Sequence, residues 1–150
     1  MIGLVQRVKE AEILVNGKRI SAIGEGILLL VGVSTDDKEE DAKYIAGKVA
    51  NLRIFPDDRG QMNRSLLDIN GEILVVSQFT LLADTRKGRR PSFTRAAEPE
   101  KAVHIYRSVI EELSRYNIPV KEGKFREIME VKLNNFGPVT IILDSSVKKL

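Results

Sequence analysis

Two short segments far apart in the chain carry the residue types best suited to holding a reactive carbonyl group. The first consists of Ser77, Gln78, Phe79 and Thr80, and the second contains the dipeptide Gly137-Pro138. Each joins an apolar run to small polar residues, and strand ends are common places for ligand contacts. A glycine leaves the backbone open to close approach, and X-Pro bonds adopt the cis form at modest cost. We therefore expect hydroxyls, backbone amides and the Gly-Pro peptide to meet at one cleft.

Each segment also has an ordinary structural interpretation. The Thr80 hydroxyl and its adjacent amides can hold an ester carbonyl, but a threonine that hydrogen-bonds its own neighbours is the more frequent case. Ser77 and Gln78 carry the same ambiguity. For Gly137-Pro138 the alternative is a trans turn, because only about 5 to 6% of X-Pro bonds in folded proteins are cis. The residues alone leave both interpretations open.

A third segment, residues 84–93, concentrates positive charge around a glycine and beside a proline, so it does not suit a regular helix. Its cations are Arg86, Lys87, Arg89 and Arg90. Such a loop can bind phosphates, and the ring of Phe93 can offer a stacking surface. Many such runs are simply solvated. The net charge of +3 permits an RNA partner without requiring one.

Several kinds of catalytic chemistry lack the residues that they need. The sequence contains no cysteine and a single histidine, His104. This histidine lies among apolar residues of a predicted helix, at the border of a solvated face. A serine-histidine-aspartate mechanism and a metal site built on histidine or cysteine are therefore disfavoured. We expect no metal and no cofactor.

The apolar pattern predicts the elements that position these segments. Short β-branched stretches separated by Asn-Gly and Gly-Glu-Gly turns predict an N-terminal meander. Apolar residues at three- and four-residue spacing predict two helices, one behind an acidic first turn and one behind Pro99. The predicted strands are residues 4–8, 12–15, 27–33, 52–55, 72–78, 120–122, 128–133 and 139–143, and the predicted helices are residues 36–51 and 99–116. The continuous apolar character of residues 139–143 is typical of a fully buried strand.

This order predicts an α/β fold in which mixed, mainly antiparallel sheets form a sandwich or barrel-like core with two long helices. The 150 residues, 43% of them hydrophobic, show no repeat or composition break, so we expect a single domain over residues 1–150. No apolar run approaches the roughly 20 residues that cross a bilayer, and no secretory leader is evident. We expect a cytoplasmic protein without membrane contact, in which residues 147–150 are loosely held.

In combination, these segments resemble the D-aminoacyl-tRNA deacylase family over nearly the whole chain. The matching segments occur in the family's order at residues 5–8, 51–55, 77–81, 84–93 and 135–140. Five ordered segments are far more specific than any one motif. The resemblance implies a compact homodimer that hydrolyses the ester between the terminal adenosine of tRNA and a D-amino acid or glycine, at a site on the subunit interface.

The resemblance also assigns roles to individual residues. Gly137 and Pro138 would form a cis peptide that reaches into the partner subunit's site and presents carbonyl groups to the substrate's ammonium group. An L side chain would then collide with this backbone, whereas a D side chain would point into open space. Arg7 would hold the Gly-Pro loop in place. Phe125 and Met129 match the positions that enclose the terminal adenine, and Arg86, Lys87, Arg89 and Arg90 fall in the basic segment.

The chemistry implied by the resemblance suits a chain without a strong base. An aminoacyl ester is activated, so oxyanion stabilisation by amides near Phe79 and Thr80, a bound water and the ribose 2′-hydroxyl would suffice. Thr80 has no adjacent histidine or lysine, so we interpret it as a positioning residue rather than a nucleophile. Two alternatives stand beside this interpretation: a non-catalytic RNA-binding module, and a general esterase with Thr80 as the nucleophile.

The chain departs from the family pattern at two places. Residues 126–128 are larger than those that family members carry after the phenylalanine, and Phe136 replaces a small or polar residue. The adenine pocket is therefore the least defined part of the expected site.

Overall fold

The computed structural model describes residues 1–147, and residues 148–150 of the expected loose tail lie outside the described part. Within residues 1–147 the chain forms eight strands and two helices, with one 3₁₀ segment, Phe79–Leu82, between the sixth strand and the second helix and another, Ser145–Val147, after the last strand. The strands are β1 (Ile2–Val15), β2 (Lys18–Ile23), β3 (Gly26–Gly32), β4 (Phe55–Pro56), β5 (Met62–Arg64), β6 (Glu72–Ser77), β7 (Val120–Glu122) and β8 (Glu130–Asp144), and the helices are α1 (Glu39–Asn51) and α2 (Pro99–Ser114).

The long strand β1 pairs with three other strands of a six-stranded sheet. Its first half pairs with β3 and its second half with β2, both antiparallel. Along its other side β1 pairs with β8 over almost its whole length, also antiparallel. Strand β8 has no second neighbour in the described sheet. The gap between β2 and β7 is bridged by a 2.9 Å hydrogen bond from the Ser21 hydroxyl to the carbonyl of Glu122. The sheet is therefore nearly closed into a barrel.

Strands β3, β6 and β7 run parallel to one another. Their carboxyl ends therefore meet at one edge of the sheet. The segments that follow β6 and β7, which begin at Gln78 and Gly123, leave the sheet at this edge. The polar segment around Thr80 and the loop around Phe125 are thus placed on the same side of the molecule.

The two helices pack against each other and against one face of the sheet. Helix α1 buries Ala42, Ile45, Ala46, Val49 and Ala50, and its first turn is acidic, which favours a helix N-terminus. Helix α2 begins at Pro99 and buries its apolar stripe, including Tyr106. The buried Tyr106 hydroxyl donates a 2.9 Å hydrogen bond to the carbonyl of Val75, and burial raises its pKa. Both predicted helices are confirmed.

The α/β class and the barrel-like, mainly antiparallel sheet are confirmed, but individual strands differ from the predictions. The strands predicted at 4–8 and 12–15 are one strand, and those at 128–133 and 139–143 also merge into one, β8. Strands β2 and β5 were not predicted, and the strand predicted at 52–55 is reduced to Phe55–Pro56. The expectation of full burial at 139–143 is wrong, because β8 is an edge strand and Ile142 is 70% exposed.

No helix within residues 1–147 is long and apolar enough to cross a membrane. In the same part of the chain, no group of three or more histidine, cysteine, aspartate or glutamate residues is arranged to hold a metal ion.

Gly26, at the start of β3, allows the parallel pairing of β3 with β6. A Cβ atom at this position would overlap the carbonyl of Glu72. We expect Gly26→Ala to lower the free energy of unfolding by about 3 kcal/mol, the upper range for overpacking. Thermal unfolding followed by circular dichroism, at equal protein concentration, measures the change. Gly24→Ala is the control, since a Cβ there meets nothing within 4 Å. Equal effects of the two substitutions would contradict this packing role.

Candidate active site

The Gly-Pro dipeptide lies in a bulge of β8. Gln6 of β1 pairs with Thr140, and Val8 pairs with Asn135. A single residue of β1, Arg7, therefore faces the four residues 136–139 of β8, which must leave the ladder. The Gly137-Pro138 bond is cis, and Gly137 has a φ of +122°, a conformation that side-chain-bearing residues rarely adopt. Both residues are exposed, so the bulge presents its backbone to the surroundings.

Arg7 holds this bulge from beneath. Its Nε and Nη2 atoms donate hydrogen bonds of 3.1 and 3.0 Å to the carbonyl of Phe136, and Nη1 donates one of 2.7 Å to the carbonyl of Ile54. The guanidinium carbon also lies 4.2 Å from the centroid of the Phe136 ring. Burial lowers the pKa of Arg7, opposed by the charge of Glu25, yet an arginine remains a cation. Arg7 therefore contacts the residue directly before the Gly-Pro dipeptide, and its role in substrate handling stays a prediction.

Asn135 closes the bulge from its other side. Its Oδ1 accepts a 2.8 Å hydrogen bond from the amide of Val139, and its Nδ2 donates to the Val139 carbonyl at 3.3 Å and the Thr140 hydroxyl at 2.9 Å. Sequence reasoning assigned no role to this side chain. The sequence feature that could have indicated this role is an asparagine two residues before a Gly-Pro pair, because asparagine side chains readily hydrogen-bond nearby backbone groups.

The polar segment after β6 forms a short 3₁₀ turn, Phe79–Leu82, rather than the expected strand end. The Gln78 amide still donates a 2.7 Å hydrogen bond to the carbonyl of Val31, while the Gln78 side-chain amide donates to the Thr80 hydroxyl. The amides of Phe79 and Thr80 stand at the start of the turn, where N–H groups have no acceptor within the turn. The turn thus begins with two backbone donors that lack an acceptor within it, beside an exposed threonine.

Gly32, a second residue that sequence reasoning missed, lets this turn lie against β3. A Cβ on Gly32 would overlap the side chain of Leu82 and lie 3.1 Å from the Gln78 carbonyl. Any side chain at position 32 would push the turn away from the sheet. The Gly32–Val33 pair gave no turn signal in the sequence, since the requirement is contact with a segment far along the chain.

The basic segment is a loop closed by paired backbone hydrogen bonds between Asp84 and Ser92, of 2.8 and 2.9 Å. Phe93, just beyond it, packs edge-on against the 55%-exposed Phe79, with ring centroids 5.0 Å apart. The loop is thereby attached to the 3₁₀ turn. Aromatic packing joins the predicted phosphate-binding segment to the predicted carbonyl-binding segment.

The four cations of this loop are not equivalent. Arg86 forms an ion pair of 2.6 Å with Asp84. Hydrogen bonds from Arg86 hold the pKa of Asp84 well below its usual range, and the same contact raises the pKa of Arg86. Lys87, Arg89 and Arg90 are exposed and form no ion pair within residues 1–147. The charge available to a phosphate group therefore resides mainly on these three.

Phe125 and Met129 bracket the loop after β7, at the same sheet edge as the 3₁₀ turn. Phe125 packs against Tyr106 with centroids 6.0 Å apart. The Met129 sulfur accepts a 3.3 Å hydrogen bond from the amide of Lys124. Between them, Arg126 has a positive φ of 68° and Ile128 is 93% exposed. The contacts of Phe125 and Met129 hold the two ends of the loop. Residues 126–128, which depart from the family pattern, lie between them and are exposed.

Within one chain, the Gly-Pro bulge and the 3₁₀ turn do not meet, so the expectation of one cleft is wrong for the single chain. Arg7 is in register with Ile27, and Ile27 with Ile73 of β6. The bulge is therefore four residues below Ser77, or roughly 13 Å along the strands, and three strand spacings away, or roughly 14 Å. No single aminoacyl group spans that distance.

His104 is paired with a residue of α1. Its Nε2 atom lies 3.0 Å from a carboxylate oxygen of Glu39, and both side chains are exposed on the surface of the paired helices. The two segments therefore offer backbone amides, backbone carbonyls and hydroxyls for catalysis, while the imidazole of His104 is paired with Glu39.

Known proteins are similar to this chain in sequence and in fold over nearly their whole length. A family model described as D-Tyr-tRNA(Tyr) deacylase matches residues 4–144. A D-aminoacyl-tRNA deacylase of Thermoanaerobacter sp. (strain X514) is 52% identical over 145 residues, which are 97% of each chain. One of Roseiflexus castenholzii (strain DSM 13941 / HLO8) is 56% identical over 147 residues, covering 98% of this chain and 94% of the relative. A solved structure described as c-Myc DNA Unwinding Element Binding Protein has a TM-score of 0.90 at 42% identity, covering 96% of this chain and 98% of its own.

The asparagine clamp gives a direct test of how the bulge is held. We expect Asn135→Ala to speed hydrogen exchange at the Val139 amide about fivefold to tenfold, because one net hydrogen bond is worth about 1 kcal/mol. Amide exchange followed by NMR measures the rate. Asn134→Ala is the control, since Asn134 is an exposed neighbour on the opposite face of the strand. An unchanged Val139 rate in Asn135→Ala would show that the bulge does not depend on this clamp.

Proposed function

The chain belongs to the D-Tyr-tRNA(Tyr) deacylase family, and we propose that it hydrolyses the ester that links a D-amino acid to the terminal adenosine of tRNA. The products are the free D-amino acid and tRNA. The observation that carries this proposal is the close similarity, along nearly the whole chain, to proteins named D-aminoacyl-tRNA deacylase. We further propose that the activity resides in one domain over residues 1–150 and operates in the cytoplasm, where charged tRNA serves translation.

The 3₁₀ turn after β6 supplies the groups that act on the ester. In this proposal, the amides of Phe79 and Thr80 donate hydrogen bonds to the carbonyl oxygen as it becomes negative during attack. Thr80, oriented by the Gln78 side chain, positions the ester or the attacking water. Water forms the new bond to the acyl carbon, and the ribose 3′-oxygen leaves with a proton. The 2′-hydroxyl of the substrate is the nearest group available to assist that transfer.

The Gly137-Pro138 bulge acts as the chiral filter. Backbone carbonyls exposed there can accept hydrogen bonds from the substrate's ammonium group. Once ammonium and ester are both fixed, the L side chain is directed at the bulge and the D side chain away from it. Arg7 and Asn135 hold the bulge in position. This rigidity is necessary because a bulge that moved aside would no longer exclude an L side chain.

A filter that works by collision with an L side chain also has a consequence for glycine. Glycine has no side chain to collide with the bulge, so the same geometry accepts glycyl-tRNA. We therefore propose glycine as a second substrate, including glycine mischarged on tRNA(Ala).

The site is completed by a second copy of the chain in a homodimer. Within one chain, the bulge and the 3₁₀ turn are separated by roughly 13 Å along the strands and roughly 14 Å across them. A bulge therefore cannot contact a substrate bound at the turn of its own chain. Strand β8 carries the bulge and has a free edge in the described sheet, with Leu133 and Ile142 exposed. Exposed apolar side chains on an unpaired edge favour association. Each bulge would then enter the partner's site.

The terminal adenosine is assigned to the loop between Phe125 and Met129, which leaves the sheet at the same edge as the turn. The adjacent phosphates are assigned to Lys87, Arg89 and Arg90, with Arg86 serving mainly to brace the loop through Asp84. Phe93 and Phe79 connect these two contacts. The tRNA end would thus be gripped on both sides of the ester.

Chiral discrimination is the most specific consequence of this proposal. We expect purified protein to release radiolabelled tyrosine from D-tyrosyl-tRNA at least 100-fold faster than from L-tyrosyl-tRNA, because a backbone collision of about 3 kcal/mol corresponds to that ratio. The measurement compares initial rates on the two substrates, each corrected with a no-enzyme control.

Other outcomes identify the alternatives. Equal release from both substrates would leave a hydrolase but refute the bulge as a filter. Release from neither, with tRNA still bound, would indicate a non-catalytic RNA-binding module. A burst of free tRNA ahead of amino acid release, lost in Thr80→Ala, would show an acyl-enzyme and favour the esterase with Thr80 as nucleophile.

A further inference from the structure

A groove at the carboxyl end of α1 lies outside both segments of the proposed active site. It has a volume of about 540 Å³, within the roughly 300 to 1,000 Å³ of small-ligand sites. Lys43, Lys48 and Arg53 line it together with Tyr44 and Tyr116, and no carboxylate is among its lining residues. A concave surface with three cations and two aromatic rings is suited to an anion that also carries planar groups.

The cations of this groove are available to a ligand. Lys43 and Lys48 are exposed, and neither they nor Arg53 forms an ion pair within residues 1–147. Arg53 is oriented rather than neutralised, since its Nε donates a 2.8 Å hydrogen bond to the carbonyl of Asn63 and its Nη2 one of 3.1 Å to that residue's side chain. A fixed guanidinium loses little freedom when it binds a phosphate.

Aromatic surface lies directly beside this charge. The Lys48 ammonium group is 5.7 Å from the centroid of the Tyr44 ring. On the floor of the groove, a Cβ at Gly47 would lie 3.2 Å from the Tyr116 hydroxyl, so the absence of a side chain at position 47 leaves room for that ring. Phosphate-binding cations beside ring faces are the combination that proteins use for RNA backbone and unstacked bases.

The groove is connected to the proposed site through the chain itself. Arg53 directly precedes Ile54, whose carbonyl accepts the 2.7 Å hydrogen bond from Arg7. Arg7 in turn binds the Phe136 carbonyl of the Gly-Pro bulge. In the proposed dimer, where each bulge enters the partner's site, the groove of the protomer that supplies the bulge would therefore be close to that site.

From this placement we infer that the α1 groove binds the phosphate backbone of the tRNA whose aminoacyl end occupies the adjoining site. This inference rests on the proposed function. It divides tRNA recognition between the protomers: the protomer that supplies the turn binds the terminal adenosine, and the one that supplies the bulge binds the RNA farther from the ester. The groove therefore contributes to affinity for tRNA and not to the chemical step.

The test removes the three charges together, as Lys43→Gln, Lys48→Gln and Arg53→Gln. We expect the affinity for fluorescently labelled, uncharged tRNA to fall about tenfold in anisotropy titrations. The slope of log affinity against log salt should become shallower by about 2, because each lost phosphate contact removes 0.7 to 0.9. With D-tyrosyl-tRNA the KM should rise by a similar factor, while hydrolysis of D-tyrosyl-adenosine, which lacks the remaining RNA, should keep its KM and kcat.

A matched control removes three exposed charges elsewhere, as Lys18→Gln, Arg59→Gln and Arg107→Gln. If this control weakens tRNA binding equally, or if the groove variant binds tRNA as the unmodified protein does, the inference is overturned. Equal loss of affinity for polyglutamate and tRNA would also overturn it, in favour of an acidic protein partner. If the unmodified protein hydrolyses no D-aminoacyl ester but the groove and control variants still differ in tRNA binding, the proposed function fails and the RNA-binding groove stands.

Discussion

The buried guanidinium of Arg7 is the interaction on which the rest of the site depends. Removing a cation from water is costly unless hydrogen bonds replace its hydration. Here the carbonyls of Ile54 and Phe136 accept three hydrogen bonds, and the Phe136 ring covers the cation. Because these carbonyls belong to segments far apart in the chain, Arg7 fixes the Gly-Pro bulge relative to the end of α1. The need of the Arg7 guanidinium for hydrogen bonds thus fixes the positions of the Ile54 and Phe136 carbonyl groups.

The second constraint is that β8 forms an edge of the sheet. A bulge in a central strand would break pairing on both sides, whereas in β8 it interrupts only the ladder with β1. The bulge can therefore project outward without loss of the barrel. The same arrangement separates it from the Phe79–Leu82 turn, so in the proposed dimer each protomer would contribute its bulge to one site and its turn to the other. The proposed dimer follows from this separation, and the exposed Ile142 is consistent with it.

Sequence patterns predicted those features that depend on local order. The two helices followed from apolar spacing and from Pro99, and the Asn16-Gly17 turn followed from its need for positive φ, seen as 51° and 76°. Features set by distant contacts escaped prediction. Ile142 is exposed because it lies on the face of β8 opposite Ile141 and Leu143, which pack against the core, and the role of Gly32 depends on Leu82 packing across it. The hydrogen bonds of Asn135 to the bulge could be foreseen only by knowing that residues 136–139 of β8 face the single residue Arg7 of β1. The roles of Phe125 and Met129 stay predictions, because only their positions at the sheet edge are established.

The central claim is that a bulge from one protomer completes the site of its partner, and mixing two inactive variants tests it most directly. Gly137→Ala disturbs the bulge, since a Cβ there would lie 2.8 Å from Nη2 of Arg7, and Thr80→Trp blocks the exposed turn. Dissociated and reassociated at equal amounts, half of the dimers should be mixed, each with one intact site. The rate on D-tyrosyl-tRNA should then recover to about a quarter of that of the unmodified protein. A mixture that stays as inactive as the separate variants would contradict the shared site.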